Sequence, residues 1–441
     1  MDVGWQDKPW VAKQFDNGSQ ILRPRFTLMD SPLLLARRSF LARTGVAAWL
    51  SSIAPGLVRE TFGAAPETGA WIEPALAADW LAKWRTEIMG EVKSRYCDRE
   101  EGEELGWLVS HVTSGFYYGY LATRDSQWVG LLFDWTEAVI TRAVKEPDGY
   151  IGWPKGNGGG GDSKEFKADS LLGEAMFLKP AVLMAKEVLA NPDLNSKYGD
   201  RATHCLAVAK DIFKKWDSRD CWRAMGDGGL WVVPDWGVDL QSPGRWSAGY
   251  ESRKTGGFSN PANKQNEISM WLLAMFDATG DKIYHDRAEQ WFRLLKKRMR
   301  TVDDGKRVVW NYWDPAGPWD YRPDGQPKHW VGVHPNGGYY WIDVSAITEA
   351  FEHGVVFTRR DIDMLIATNR DYMWNRVEQG AQFKRIDGGE VDLRWKNSPG
   401  VLWSSLTPYD AVLRRIFVAN HKPASWGGVV ETVWFLSHAR H

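Results

Sequence analysis

The sequence predicts an all-α fold made of helical hairpins, and three features of the chain support this prediction. Apolar residues recur at three- and four-residue steps in one stretch after another from residue 78 onward, which is the period of an α-helix. Short turn signals, such as those at 278–281 and 352–354, separate the helical stretches and indicate that consecutive helices are antiparallel neighbours. Strand-like pieces are brief, as at 230–233 and 307–312.

The first predicted helix shows the pattern most plainly. Between residues 78 and 96, Trp80, Trp84, Ile88 and Val92 follow one another at four-residue steps and form one apolar face. The other helices are predicted where the same spacing returns. In chain order they lie at 105–122, 127–144, 167–190, 197–216, 264–278, 281–300, 343–354, 358–374, 407–420 and 428–439.

The composition limits the number of domains and the classes of partner. The 441 residues carry a formal net charge of -1, which gives no overall attraction to nucleic acid. Because no linker divides the chain after its leader, we expect 1–70 to be an N-terminal extension with an export signal and 71–441 to be a single domain. The 27 tryptophans are unusually many, and indole rings suit sugar faces as well as protein cores. Three cysteines permit at most one internal disulfide, so disulfides are not expected to hold the fold.

A basic and then apolar stretch at 36–58 resembles a twin-arginine export signal. Arg37 and Arg38 precede Phe40, Leu41 and a modest apolar run without acidic residues. This run is too short to anchor the protein in a bilayer, so we expect no membrane anchoring after removal of the signal. The alternative is an ordinary amphipathic helix with a basic start. The signal predicts export to the periplasm or the extracellular space.

Three long segments lack helical periodicity. The glycine-rich segment 149–163 is expected to be a flap or a connector, since it has no phosphate-binding motif. The segments 222–258 and 310–343 are rich in Trp and Tyr, and the second also contains His329 and His334. Ordered irregular segments of this length are usually functional. We therefore expect an aromatic-walled cleft there, the alternative being a tryptophan-rich plug that only packs across one end of the helices.

A family resemblance is carried by residues 263–292, NKQNEISMWLLAMFDATGDKIYHDRAEQWF. A helix bearing Asn and Gln is followed by a Thr-Gly-Asp turn and by an outer helix with the pattern Y-x-x-R-A. Together with the repeated hairpins, this resembles the α/α-toroid carbohydrate-active enzymes, and among them the glucuronan and alginate lyases most. The resemblance implies an (α/α) toroid, an incomplete barrel of about six to seven hairpins, with the long aromatic loops on one rim.

The same resemblance implies a polysaccharide lyase that cleaves an acidic, uronate-containing polysaccharide by β-elimination. Such a reaction removes the C5 proton next to a carboxylate and expels the O4 leaving group, so the carboxylate charge must be neutralised. Carried over residue by residue, Tyr340 or Tyr339 is the base and acid, His334 an assisting base or donor, and Asn266 the group that neutralises the uronate. The substrate-binding candidates are Asn263, Gln265, Glu267, Trp313, Trp319, Arg322, Lys328, His329, Trp330 and Arg245.

Each of these residues also has a structural interpretation. Asn266 would cap or buttress its helix, His334 would bond to nearby backbone, Tyr339 and Tyr340 would be core aromatics, and Glu267 would lie on a solvated face.

Three rival functions remain open: a toroid glycoside hydrolase, a sugar epimerase and a non-catalytic carbohydrate-binding protein. Loop and helix carboxylates near the predicted cleft would serve the hydrolase. They are Asp314, Asp320, Asp343, Glu349 and Glu267.

Metal and cofactor use has little support in the sequence. There is no HExxH motif, no Cys/His cluster and no dinucleotide fingerprint. We therefore predict no cofactor, with a structural calcium ion on loop carboxylates as the one alternative.

Overall fold

The computed structural model describes residues 71–155, 166–247, 257–389 and 400–439. The predicted twin-arginine signal lies outside these ranges and stays a prediction. Within them, eleven α-helices contain about half of the residues. They are α1 (Pro74–Val92), α2 (His111–Thr123), α3 (Gln127–Thr141), α4 (Leu171–Ala190), α5 (Pro192–Ser218), α6 (Ala262–Thr279), α7 (Lys282–Arg298), α8 (Gly337–Glu352), α9 (Arg359–Ile366), α10 (Ala411–Asn420) and α11 (Gly428–His438). π-helical turns at Leu105–Ser110 and Ala367–Met373 precede α2 and follow α9.

The described helices form a ring of six hairpins, which confirms the predicted toroid. The ring closes on itself, whereas an incomplete barrel was expected. The inner ring runs through α2, α4, α6, α8, the 3₁₀ turn Ser404–Leu406 and α11, and α11 packs back against α2. The outer ring is α1, α3, α5, α7, α9 and α10. The fifth inner position is only one turn long, and side chains bridge it: Trp341 Nε1 donates to Ser404 Oγ at 2.8 Å, and Ser404 Oγ donates to Glu431 Oε1 at 3.0 Å.

Burial separates the inner helices from the outer ones. Most residues of α4, α6 and α8 are buried, including polar ones, because other helices surround these elements. The outer helices α5 and α7 bury one apolar stripe and expose charged residues on the opposite face. Cys97, Cys205 and Cys221 are buried, and no two of them form a disulfide. Among the described residues, no helix has the length and apolar character needed to cross a membrane.

The Thr-Gly-Asp turn of the predicted motif is explained by helix capping. Gly280 ends α6 with φ +71°, a conformation that costs least at glycine. Asp281 then starts α7, and its side chain accepts a hydrogen bond from the Ile283 backbone N–H at 3.1 Å. The turn therefore fixes the sharp reversal between an inner and an outer helix.

Short strands are confined to the loops that lead into the inner helices. The strands are β1 (Val144–Lys145), β2 (Ile151–Gly152), β3 (Phe166–Lys167), β4 (Trp222–Met225), β5 (Gly228–Val233), β6 (Val238–Asp239), β7 (Phe258–Ser259), β8 (Arg300–Val302) and β9 (Arg307–Val309). β4 pairs antiparallel with β5 across a tight turn, and β5 also pairs with β7. Three further pairs are β1 with β2, β3 with β6 and β8 with β9.

A buried ion network attaches the β1–β2 hairpin to α4 and α5. Lys215 on α5 donates to Glu174 at 2.6 Å and to Asp169 at 2.8 Å. Arg219, one turn later, donates to Glu146 at 2.8 Å and to Asp169 at 3.3 Å. All five side chains are buried. Because buried charges are tolerated only with partners, these five residues depend on one another.

The closure of the ring between α2 and α11 depends on Gly115. A Cβ at this position would lie 2.9 Å from Ile88 Cδ1 and 2.9 Å from the Val429 carbonyl oxygen. We expect Gly115→Ala to lower the free energy of unfolding by about 1–3 kcal/mol, because α11 must shift to accommodate the methyl group. The control is Gly90→Ala in α1, where a Cβ meets no atom within 4 Å. This change is expected to stabilise the helix by about 0.5–1 kcal/mol. Urea unfolding of both variants checks the prediction, and equal effects would contradict it.

Candidate functional site

The long loops gather at the rim where the inner helices begin. The loops before α4, α6 and α8 all arrive there, because each inner helix follows an outer helix that runs the opposite way. At α8 the first turn is made by Gly337–Tyr340. Asn336 caps this turn by accepting a hydrogen bond from the Gly338 backbone N–H at 2.9 Å.

Five side chains form what we call the rim cluster: Tyr312, His329, Trp330, His334 and Tyr339. Tyr312 is in its middle, with ring centroids 5.7 Å from His329, 4.8 Å from His334 and 5.2 Å from Tyr339. His334 and Tyr339 are 4.5 Å apart, and the Trp330 ring approaches His334 edge-on at 6.1 Å. The structure thus brings together four of the predicted site residues: His329, Trp330, His334 and Tyr339.

The two histidines of the rim cluster have opposite tautomers. His329 Nδ1 lies 3.2 Å from the Trp330 carbonyl oxygen, which can only accept, so Nδ1 carries the proton and Nε2 carries a lone pair. His334 Nδ1 accepts from the Asn336 backbone N–H at 2.9 Å, so its proton is on Nε2. In its neutral form, His329 can therefore accept a proton at Nε2 and His334 can donate one there.

Both imidazoles are held neutral. Burial lowers the pKa of His334 to about 4, and the positive charge of Arg385 adds to this effect. Burial also lowers the pKa of His329, and Lys264 acts in the same direction. The acid and base forms described above are thus those present near neutral pH.

The two predicted tyrosines differ in their surroundings. Tyr340 is 3% exposed, and its hydroxyl donates to the Trp310 carbonyl oxygen at 3.1 Å and accepts from the His334 N–H at 3.0 Å. It therefore positions His334. Tyr339 is half-buried, and its hydroxyl bonds to none of the described residues. Burial and the nearby Glu103 raise the pKa of Tyr339, so this tyrosine is better suited to donate a proton than to remove one.

Glu103 and Lys264 face the rim cluster as an ion pair. Lys264 is on α6 and Glu103 precedes α2, and Lys264 Nζ lies 2.5 Å from Glu103 Oε1. Their side chains are 18% and 27% exposed, so the pair stays accessible to a ligand. The Ala262 backbone N–H donates to the Tyr312 carbonyl oxygen at 2.9 Å and fixes the start of α6 beside the cluster.

Asn266 and Gln265 hold helices and loops together. Asn266 is fully buried, donates to Asp343 at 2.6 Å and accepts from Trp291 Nε1 at 2.7 Å. Gln265 accepts from the Trp231 backbone N–H at 3.0 Å and donates to the Trp231 carbonyl oxygen at 2.5 Å. These contacts match the buttressing interpretation of Asn266, and neither side chain reaches the rim cluster.

Asn263 and Glu267 lie on a different face of α6 from Gln265 and Asn266. Asn263 is 1% exposed and Glu267 is 0% exposed. Asn263 Oδ1 and both carboxylate oxygens of Glu267 have no hydrogen-bond partner among the described residues. The alternative interpretation of Glu267 as part of a solvated face is wrong, because this side chain is fully buried.

The three predicted sugar-platform tryptophans are buried to different degrees. Trp313 is 1% exposed and donates to the Ser259 carbonyl oxygen at 2.8 Å, so its ring faces protein. Trp319 is partly buried and donates to Ser259 Oγ at 3.0 Å. Trp330 is 50% exposed and is the one of the three with an open face.

The predicted cations are held by protein partners or lie in other parts of the rim. Lys328 Nζ donates to the Gly257 carbonyl oxygen at 2.7 Å. Arg322 is half-buried in the turn of the same loop, and Arg245 is exposed in the turn after β6. Arg385, which the sequence did not single out, lies beside His334 and pairs with Asp387 at 2.6 Å.

The carboxylates proposed for hydrolysis are mostly engaged in structure. Asp320 is buried and accepts from the Ser259 N–H and hydroxyl, both at 2.6 Å. Asp343 accepts from Asn266 and from Trp310 Nε1.

For metal binding, one group of described residues has suitable ligand atoms close together, and it lies on the outer helix α7 rather than at the rim. The group is His285, Asp286 and Glu289.

Glu103 and Tyr312 were not among the candidate site residues predicted from the sequence. Tyr312 was inside the predicted aromatic segment, so its position in that segment was a usable signal. Glu103 is more than two hundred residues away in sequence from the rim cluster, and no local pattern marks it.

Comparisons with known proteins gave structural neighbours but no sequence relatives. No protein-family model matches the chain, and no curated protein does. An inactive variant of the alpha-1,6-mannanase GH76A of Salegentibacter sp. HEL1_6, in complex with alpha-1,6-mannotetrose, is 11% identical, with a TM-score of 0.38 over 70% of this chain and 74% of that chain. A second inactive variant of it, in complex with alpha-1,6-mannotriose, is 11% identical, with a TM-score of 0.33 over 77% and 99%.

A third structural neighbour is a D-mannose isomerase, which is 13% identical, with a TM-score of 0.30 over 78% of this chain and 99% of that chain. All three neighbours are carbohydrate enzymes by name. Because the TM-scores are low, the assignment of the fold rests on the helix contacts described above.

Proposed function

We propose that the protein is a carbohydrate-active enzyme that removes a proton from a sugar carbon next to a carbonyl or carboxyl group. One observation carries the proposal: two neutral histidines of opposite tautomer pack on the same Tyr312 ring. His329 Nε2 would take the proton from carbon. His334 Nε2–H would donate to the oxygen on which negative charge develops.

Isomerisation or epimerisation of a neutral sugar is the first candidate. The electron pair of the broken C–H bond would move into an enediolate, and return of a proton to either carbon or either face would complete the reaction. This candidate is favoured by the charges at the rim: Lys264 is paired with Glu103, Lys328 with a carbonyl oxygen and Arg385 with Asp387. Cations with such partners offer little surplus charge for a uronate.

β-Elimination from a uronate polysaccharide is the second candidate, and Tyr339 is the observation that favours it. In this reaction the electron pair would expel the O4 leaving group, which must be protonated as it departs. The Tyr339 ring packs against His334, and its hydroxyl bonds to none of the described residues and has a raised pKa, so it would serve as this acid. The exposed Trp330 ring would support a neighbouring sugar of the chain.

Incubation in D₂O separates these candidates in one experiment. Aldoses, ketoses, glucuronan, alginate and pectate are each mixed with the enzyme and followed by proton NMR and ultraviolet absorbance. Isomerisation or epimerisation would give a new sugar that carries deuterium on carbon. Elimination would give an unsaturated, absorbing end. New reducing ends without either sign would mean hydrolysis, and binding without any product would mean a carbohydrate-binding protein; either result would overturn the proposal.

A further inference from the structure

Buried polar side chains occupy the axis of the ring below the rim cluster. Lys179 on α4 reaches Glu349 on α8, with Nζ 3.4 Å from Oε2, although α6 lies between these two helices in the ring. On the way it passes Met270 of α6, whose sulfur is 3.3 Å from Nζ. A contact that spans the inner face of α6 places these side chains at the centre of the toroid.

Glu267 belongs to the same axial group and has no hydrogen bond. It lies on the face of α6 that carries Asn263, one turn nearer the rim, and Met270. Both carboxylate oxygens are buried without a partner among the described residues, and so is Asn263 Oδ1. An ionised carboxylate in such surroundings is strongly unfavourable, whereas the neutral acid loses far less on burial.

The charges that face Glu267 leave negative charge in excess. Lys179 from α4 is the one ammonium among the groups that act on it, and Asp343 and Glu349 from α8 are carboxylates. From α7, the uncharged Trp291 reaches only the adjacent residue Asn266. Asp343 has two N–H donors, and Glu349 has Lys179. Glu267 is thus the carboxylate of this group whose charge has no direct partner.

A metal ion is not a suitable counter-charge for this group. In the described part of the chain, the one group of three or more His, Cys, Asp or Glu side chains close enough to share an ion is His285, Asp286 and Glu289, on the outer helix α7. Lys179 already places a positive charge at the centre, and Glu349 is its direct partner. A proton on Glu267 would remove the charge that has no direct partner.

We propose that Glu267 is a neutral carboxylic acid in the folded protein and that its ionisation loosens the centre of the ring, which makes it a pH-sensitive element below the candidate site. Burial raises its pKa to about 7, Lys179 opposes this shift, and Glu349 and Asp343 add to it. In an unfolded chain the same group ionises near its ordinary value of 4.5. Because the folded state holds the proton more tightly, stability is highest below that value and falls as the pH rises through about 7.

Unfolding at a series of pH values tests the proposal, with Glu267→Gln as an uncharged substitute for the acid. Between about pH 6 and about pH 9, the unfolding constant of the wild type is expected to rise roughly tenfold more than that of Glu267→Gln. The control is Glu289→Gln on the solvent side of α7, which should keep the wild-type pH dependence. An unchanged dependence in Glu267→Gln would overturn the proposal.

A second variant separates the loss of the ionisable group from any effect of the glutamine amide on stability. Glu267→Met is uncharged and of similar length, and it should fold and show the same reduced pH dependence as Glu267→Gln. If neither variant folds while the wild type does, the ionised form is required and the proposal is wrong. The test reads stability alone, so it is independent of the proposed function.

Discussion

Replacing His329 with asparagine is expected to lower kcat by about 10²–10⁴-fold, the usual contribution of a general base. The asparagine side chain keeps an N–H donor where His329 Nδ1 bonds to the Trp330 carbonyl oxygen, so the loop should hold its shape. It has no counterpart of Nε2, so the proton acceptor is lost. Steady-state kinetics on the substrate identified in D₂O would measure the effect, with KM expected to change little.

His285 supplies the matched control for this substitution. It is a histidine next to carboxylates on the exposed side of α7, well away from the rim cluster, and His285→Asn should leave kcat unchanged. The pH profile gives a second reading, because the lowered pKa of His329 should keep the wild type active at pH values below the ordinary histidine pKa of 6.5. Full activity of His329→Asn would show that proton abstraction takes place elsewhere.

The fold was predictable because its signals are local. The start of α8 shows the limit: the helix begins at Gly337 and not at the predicted 343, since two glycines after a proline and an asparagine look like a loop. Asn336 caps the helix instead. Similarly, α10 begins at Ala411 rather than at 407, because Asp410 caps it and Ser404–Leu406 forms a separate turn.

The site was only partly predictable. Whether a helical residue belongs to it depends on whether its side chain faces the ring axis, a loop or a neighbouring helix. Gln265, Asn266 and Glu267 are consecutive, yet they face a loop strand, the neighbouring helices and the ring axis, respectively. Spacing alone does not reveal the direction of the axis. His329, His334 and Tyr339 were found because they share one aromatic segment. Glu103 comes near them only in the folded chain, where it pairs with Lys264 of α6.

The second large effect is expected at Lys215, the centre of the buried ion network. Replacing it with methionine removes an ammonium that donates to Glu174, Asp169 and the Ile151 carbonyl oxygen. The side chain is fully buried, so two carboxylates lose their closest cation where water cannot replace it. Breaking a buried pair in this way typically costs about 3–5 kcal/mol of unfolding free energy. Urea unfolding would measure the loss.

The preceding residue provides the control for this prediction. Lys214 is on the same helix, and its side chain is 65% exposed and pairs with Asp211 at the surface. Lys214→Met should change the unfolding free energy by no more than about 0.5 kcal/mol, since exposed ion pairs contribute little. A double variant, Lys215→Met with Glu174→Gln, should recover part of the loss, because it removes one of the carboxylates left without a cation. If the two lysine substitutions had equal effects, the ion network would contribute nothing to stability. If the double variant recovered no stability, the loss would come from packing rather than from charge.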